Sequence, residues 1–204
     1  MEKKRYTILI NGGIGKELCA TTMIREIKKR EPTAQIITIS GYPEMFMHNP
    51  DVHRNLHFQT SYIYDDYIEG SDYRVGDPYT LSDYYSEKRH MNVIYPKAYR
   101  FDWETDNIHP EIYLDDGEKL EAENFATKYE FPIITLQMTG GNQSQQHPSK
   151  DINLLTNRDL RYEQAQIITD ILIKNQFTVV QIALPIHFQK LTGLSFLFCS
   201  TTNN

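Results

Sequence analysis

A lysine and a glutamate follow a glycine-rich turn near the start of the chain, and their side chains could do chemistry there. Gly12, Gly13 and Gly15 separate a short apolar stretch from Lys16 and Glu17. Glycines at such a turn let a ligand approach the backbone closely, and a helix that begins there offers unpaired N–H groups to an anionic or polar group. We therefore predict that the three glycines and Lys16 bind substrate.

The glycine turn does not match either of the two common phosphate-binding motifs. A Walker loop needs a glycine where Ile10 stands and a serine or threonine where Glu17 stands. A dinucleotide-binding fingerprint needs its third glycine at the position of Leu18. The sequence therefore predicts a ligand site of another kind.

A βαβ unit positions these residues. The apolar stretch before the turn is strand-like, and residues 16–30 place an apolar stripe at helical spacing. Pro32 then ends the helix, and residues 36–40 form a second strand. Tyr42 and Glu44 follow that strand, so in a parallel sheet they lie near the glycine turn and become candidate substrate contacts. A turn tyrosine and a helix-start glutamate are the plainer interpretation of the same two residues.

Residues 6 to about 56 resemble the N-terminal half of glycosyltransferase family 9, the heptosyltransferase-like enzymes of the GT-B fold. The resemblance rests on the first strand, the glycine turn, the second strand, and two short motifs, Gly41-Tyr42-Pro43-Glu44 and Asn49-Pro50-Asp51-Val52. It resumes at Pro132 and continues to Ala183, through a segment similar to the start of the family's second domain.

The resemblance implies transfer of a sugar from a nucleotide-sugar donor to a hydroxyl acceptor, with no required metal ion. It implies that the first lobe holds the acceptor. It also implies that the loop after the first strand of the second domain faces the donor nucleotide. In this sequence that loop offers the candidate nucleotide-binding residues Thr139, Gly140, Gly141, Asn142 and Lys150.

One departure from the family pattern concerns the catalytic base. Family members commonly carry an aspartate directly after the last turn glycine, where this chain has Lys16. A lysine ammonium has no lone pair with which to accept a proton. Glu17 is the adjacent carboxylate and the candidate catalytic residue, although one step along a helix turns a side chain by about 100°. A solvated first helical turn is the competing interpretation of both residues.

The expected fold class is α/β, with Rossmann-like parallel sheets and flanking helices, GT-B-like and incomplete at the C-terminus. Residues 1–130 form the expected acceptor-side domain, and residues 131–204 form part of a donor-side domain. The last apolar stretch reads as a strand that leaves a sheet edge uncovered, so we expect a homodimer or a partner chain to cover it.

Residues 61–87 are rich in tyrosine and aspartate. Aromatic rings stack on sugars and carboxylates bind hydroxyl groups, which makes an acceptor surface one interpretation. The interpretation we favour is that the rings pack on the sheet and leave their hydroxyl groups in water. The tyrosines of this segment are Tyr62, Tyr64, Tyr67, Tyr73, Tyr79, Tyr84 and Tyr85.

Composition and charge narrow the functional classes. The net charge is −6 and the 21 basic residues form no long stripe, which argues against nucleic-acid binding. No segment has the apolar length of a membrane span or a signal peptide, so we expect a cytoplasmic protein. The histidines and cysteines show no metal-binding spacing. Two functions remain, a glycosyltransferase and a truncated or degenerate binding module that acts with a partner, the second favoured by Lys16.

Overall fold

The computed structural model describes residues 3–129, 132–137, 160–183 and 195–198. The chain divides into two compact units, Met1–Asp116 and Gly117–Asn204. Each unit contains a parallel sheet with helices, which confirms the predicted α/β class. No helix in the described residues is long and apolar enough to cross a membrane.

The sheet of the first unit has four strands, all parallel, in the order β3-β2-β1-β4. The central pair is buried almost throughout, as expected for strands covered on both faces. The strands are β1 (Arg5–Ile10), β2 (Gln35–Ser40), β3 (Arg54–His57) and β4 (Asp72–Val75).

Helix α1 (Ile14–Arg30) connects β1 to β2 and supplies one side of the core. It begins two residues before the predicted start because Gly13, in an extended conformation, takes the N-cap position and accepts a hydrogen bond from the Lys16 N–H at 2.8 Å. The predicted apolar stripe is fully buried and packs with strand and aromatic residues. The stripe consists of Ala20, Met23, Ile24 and Ile27.

The tyrosine-rich segment is more ordered than its composition suggests. It contains a π-helical turn (Tyr64–Ile68), strand β4, a 3-10 turn (Pro78–Thr80) and the short helix α2 (Ser82–Tyr85), and helix α3 (Met91–Ala98) follows. The prediction that its tyrosines pack on the sheet is wrong for the most exposed ones. Tyr62, Tyr85 and Tyr64 are 74%, 67% and 65% exposed.

Four charged side chains tie α2 and α3 to the segment that follows them. Arg89 makes two hydrogen bonds to the carboxylate of Glu104, and Lys97 Nζ lies 2.7 Å from Glu104 Oε1 and 3.2 Å from Asp83 Oδ2. The hydrogen bonds from Arg89 and Lys97 lower the pKa of Glu104 from 4.5 to about 2. We call Asp83, Arg89, Lys97 and Glu104 the charge network.

Replacing Glu104 with glutamine is expected to lower the midpoint of thermal unfolding at pH 7 by about 2–3 °C. Because its folded pKa is lowered, Glu104 stabilises the fold fully above pH 4.5, and this contribution is lost as the pH falls towards 2. The difference between the variant and the wild-type chain should therefore shrink at pH 3. Thermal unfolding at both values tests this, with Glu69→Gln, an exposed change outside the network, as the control. An equal difference at pH 3 and pH 7 would contradict it.

The second unit contains helix α4 (Asp116–Ala126), apart from its first residue, and a parallel sheet in the order β5-β6-β7. Helix α5 lies between β5 and β6 in the chain, and its buried Ala165 packs against Leu136, Leu160 and Tyr162. The bounds of these elements are β5 (Ile133–Leu136), α5 (Tyr162–Lys174), β6 (Thr178–Ala183) and β7 (Ser195–Phe198).

Candidate functional site

The order of the strands in the first unit creates a switch point at β1. The chain passes from β1 to β2 and β3 on one side, and β4 then pairs with the other side of β1. In open parallel sheets, ligands bind at the carboxyl ends of the strands where the strand order reverses in this way. The loops at this position follow β1 and β4, and they contain the glycine turn and the pair Gly76-Asp77.

The glycine turn allows the Lys16 side chain to fold back across the backbone. Gly12 has a φ of +149°, and a Cβ atom there would lie 2.4 Å from Cδ of Lys16. The Lys16 ammonium thereby reaches the carbonyl oxygen of Asn11 at 3.4 Å. Gly13 and Gly15 have no heavy atom within 4 Å of the position that a Cβ would take, so this side of the turn is open.

Asp77 brings a carboxylate to the glycine turn from β4. Lys16 Nζ donates to Asp77 Oδ1 at 2.9 Å, and the Tyr79 N–H donates to the same oxygen at 3.1 Å. The hydrogen bond from Lys16 lowers the pKa of Asp77. The Asp77 side chain is 46% exposed and that of Lys16 only 14%, so the carboxylate is the accessible partner. An ionised, accessible carboxylate can accept a hydrogen bond or a proton from a hydroxyl group.

Asp77 is not among the predicted site residues, because nothing in the composition of residues 61–87 distinguishes it from the other aspartates of that segment. The available signal was the turn Gly76-Asp77-Pro78 directly after a four-residue strand. That strand is short and carries the half-buried ion pair of Asp72 with Arg74, in place of an apolar run. Without knowledge of its pairing with β1, nothing in the sequence connects Asp77 with the glycine turn.

Glu17 is fully buried and fastens the start of α1 to the end of β2. The Tyr42 N–H donates to its Oε1 at 3.0 Å, and the Ser40 hydroxyl donates to its Oε2 at 3.2 Å. Burial raises the pKa of Glu17, and the hydrogen bonds from Tyr42, Ser40 and Gly41 oppose that rise. The interpretation of Glu17 as part of a solvated first turn is therefore wrong. Its catalytic role stays a prediction, and the geometry favours an anchoring role.

An anchoring role for Glu17 predicts different losses of stability for two substitutions. If Glu17 is an anchor, Glu17→Ala leaves buried donors at Ser40 and Tyr42 without partners and lowers the free energy of unfolding by about 1–3 kcal/mol. Glu17→Gln keeps an oxygen acceptor, and its amide can donate to the Ser40 hydroxyl, so it should cost less than half as much. Urea unfolding at pH 7 measures both values. Equal losses for the two variants would show that the negative charge itself is required.

Tyr42 and Glu44, the other predicted substrate contacts, lie beside this anchor. The Tyr42 side chain is 41% exposed while its backbone N–H is held by Glu17. Glu44 is exposed in the 3-10 turn Pro43–Phe46, and its charge contributes to the raised pKa of Glu17. The structure therefore places Tyr42 and Glu44 at the carboxyl end of the sheet, where the glycine turn also lies.

Two buried tyrosines support the glycine turn from α3 and its C-terminal end. The Tyr95 hydroxyl donates to the backbone carbonyl oxygen of Lys16 at 2.8 Å, and its ring stacks on Tyr99 with 5.4 Å between centroids. Burial raises the pKa of Tyr99 to about 12, and it raises that of Tyr95 well above its ordinary value. Both phenols therefore remain protonated at neutral pH and act here as structural groups.

The predicted nucleotide-binding residues lie outside the residues that the structure describes. These are Thr139, Gly140, Gly141, Asn142 and Lys150.

Among known proteins, solved structures with a similar fold are found, whereas the sequence itself finds no match. No protein-family model and no curated protein matches the sequence. The structure of a family 9 glycosyl transferase from Veillonella parvula DSM 2008 is similar, with a TM-score of 0.57 and 12% sequence identity over 91% of this chain and 64% of that chain. The ADP-heptose LPS heptosyltransferase II of E. coli is similar with a TM-score of 0.50 and 12% identity, over 89% of this chain and 65% of that chain.

These similarities confirm the predicted resemblance at the level of the fold. The chain spans less than two thirds of the length of either structure. It has an α/β fold with parallel sheets, similar to that of GT-B glycosyltransferases.

Proposed function

Starting from a fold shared with family 9 glycosyltransferases, we propose that this protein transfers a sugar from a nucleotide-sugar to a hydroxyl group of an acceptor. The observation that carries the proposal is the accessible Asp77 carboxylate beside the glycine turn, at the switch point of the first sheet. The acceptor is assigned to the first unit, with the glycine turn, Lys16, Tyr42 and Glu44 as contacts. The donor is assigned to the second unit.

Asp77 supplies the proton acceptor that Lys16 cannot supply. It takes the proton of the acceptor hydroxyl as that oxygen forms a bond to the anomeric carbon of the donor sugar. The bond from the anomeric carbon to the phosphate oxygen breaks, and the nucleoside diphosphate leaves with the electron pair. Because the pKa of Asp77 is lowered, Asp77 is a weak base that works best when proton transfer accompanies bond formation.

The donor side of the proposal follows the resemblance. Thr139, Gly140, Gly141, Asn142 and Lys150 are assigned to the nucleotide, and no metal cofactor is required. Backbone N–H groups and side chains would then stabilise the leaving phosphate. The proposal includes a cytoplasmic location, where nucleotide-sugars are available. Full activity after treatment with EDTA would support the metal-independent step, and loss of activity that Mg²⁺ restores would overturn it.

A binding module without turnover is the second candidate function. The observation in its favour is the Lys16–Asp77 ion pair, because Lys16 stands where family members carry an aspartate and its charge balances Asp77. Such a module would bind a nucleotide, a sugar or a protein partner and release no product.

Thermal unfolding with a panel of nucleotide-sugars and free nucleotides, beginning with ADP-heptose, tests the shared requirement of a donor site. A ligand that binds only the folded state stabilises it by about 2.7 kcal/mol at a concentration 100 times the Kd, and this stabilisation raises the unfolding midpoint. A selective rise supports the donor assignment, and no rise with any ligand overturns it. Turnover of the selected donor then supports the transferase. If the wild-type chain binds the donor without turnover and the Lys16→Asp variant gains turnover, the protein is a disabled enzyme.

A further inference from the structure

Three tyrosines form a continuous aromatic surface that begins at the Lys16–Asp77 pair. Lys16 Nζ lies 4.7 Å from the ring centroid of Tyr79. Tyr79 meets Tyr84 nearly edge to face at 5.3 Å between centroids, and Tyr84 meets Tyr85 in the same manner at 5.2 Å. Tyr79 is 36% exposed and Tyr85 is 67% exposed, and Tyr84 between them is half-buried. We call Tyr79, Tyr84 and Tyr85 the tyrosine platform.

The tyrosine platform is fixed in place although two of its three rings, Tyr79 and Tyr85, are exposed. Tyr84 and Tyr85 lie on α2, whose Asp83 is bound by Lys97 and lies 3.7 Å from Arg89, both members of the charge network. At the inner end, the Asp77 carboxylate holds the Tyr79 backbone N–H. A ligand that binds rings already held in position loses less conformational entropy than one that must order them.

The chemistry of the platform fits a sugar ring. Aromatic faces pack against the C–H groups of a pyranose, while phenol hydroxyls exchange hydrogen bonds with its hydroxyl groups. At the inner end, Asp77 accepts hydrogen bonds from hydroxyl groups, and the Lys16 charge balances it. A phosphate or carboxylate there would meet the Asp77 charge in a protein of net charge −6, so a neutral ring is favoured.

We propose that the tyrosine platform binds a neutral pyranose ring of the acceptor and presents one of its hydroxyl groups to Asp77. This inference rests on the proposed function, because it takes the bound sugar to be the acceptor of the transfer and so identifies that acceptor as a glycan. The binding step itself requires neither a donor nor turnover.

Saturation-transfer NMR with the methyl glycosides of glucose, galactose and mannose tests the proposal. Saturation should pass from the protein to ring C–H protons of at least one glycoside, and Tyr85→Ala should raise its Kd about fivefold. The matched control is Tyr62→Ala, because Tyr62 is 74% exposed and lies outside the platform. No transfer to any glycoside, or equal Kd values for the two variants, would overturn the proposal. Tyr85→Leu, which keeps bulk without an aromatic face, should repeat the loss if Tyr85→Ala folds poorly.

The outcomes separate the platform from the transferase. Glycoside binding that Tyr85→Ala weakens, in a protein without turnover, supports the platform and favours the binding module. Sugar transfer with an unchanged acceptor KM in Tyr85→Ala would overturn the platform and leave the proposed transfer intact.

Discussion

Replacing Asp77 by asparagine is expected to reduce sugar transfer by about 10²–10⁴-fold and to leave the fold intact. Asparagine matches aspartate in size and keeps an oxygen that accepts from the Tyr79 N–H and from Lys16. Its amide cannot take the proton of an acceptor hydroxyl. The loss should therefore appear in kcat, whereas the Kd of the donor should stay within about twofold of the wild-type value.

Steady-state kinetics with the donor selected by thermal unfolding measure this effect. Asp65→Asn, which removes an exposed carboxylate from the π-helical turn Tyr64–Ile68, is the control and should retain wild-type activity. Transfer by Asp77→Asn within a factor of two of wild type would remove Asp77 from the mechanism and return the search for a base to Glu17.

Gly76→Ala is expected to lower the free energy of unfolding by about 3 kcal/mol or more, or to prevent cooperative folding. A Cβ atom at Gly76 would lie 2.1 Å from the carbonyl oxygen of Ala98 and 3.0 Å from the backbone N of Tyr99. These are backbone atoms at the end of α3, so no side chain can rotate away to make room. The loop after β4 would have to move, and Asp77 would move with it.

Gly15→Ala provides the matched control for the Gly76 substitution. A Cβ at Gly15 meets no heavy atom within 4 Å, and the residue lies in the first turn of α1. Alanine there should raise the free energy of unfolding by about 0.4–1 kcal/mol, because it restricts the unfolded chain. Urea unfolding measures both variants. Ordinary surface substitutions change the free energy of unfolding by up to about 0.5 kcal/mol. A Gly76→Ala protein within that range of wild type would contradict the close packing of the loop after β4 against the end of α3.

Local patterns in the sequence predict the elements on which the glycine turn is built. The apolar stripe of α1, the stop at Pro32 and the second strand all have signals within a few residues, and the structure places them as predicted. The same kind of local pattern, an apolar stripe at helical spacing over residues 161–175 and an apolar run over residues 178–184, predicts helix α5 and strand β6. The predicted resemblance adds the order of these elements, which the similar solved structures confirm for the fold.

The composition of the site depends on contacts between distant parts of the chain. Asp77 meets Lys16 only because β4 pairs with β1, and the hydrogen bond spans 61 residues. The spacing of Glu17 in the sequence does carry a signal for its burial. It lies three residues before Ala20 and seven before Ile24, so it shares the buried stripe of α1. The 100° between Lys16 and Glu17 then directs the two side chains to opposite neighbours of β1.

The central claim is that this chain moves a sugar to a hydroxyl group, and acceptor-dependent release of nucleoside diphosphate tests it most directly. The donor selected by thermal unfolding is incubated with the wild-type chain and the methyl glycoside that binds, and both products are quantified by chromatography and mass spectrometry. We predict equal amounts of nucleoside diphosphate and glycosylated acceptor, with no release when the acceptor is omitted. A donor that binds and stays intact with every glycoside would contradict the claim and establish a binding module.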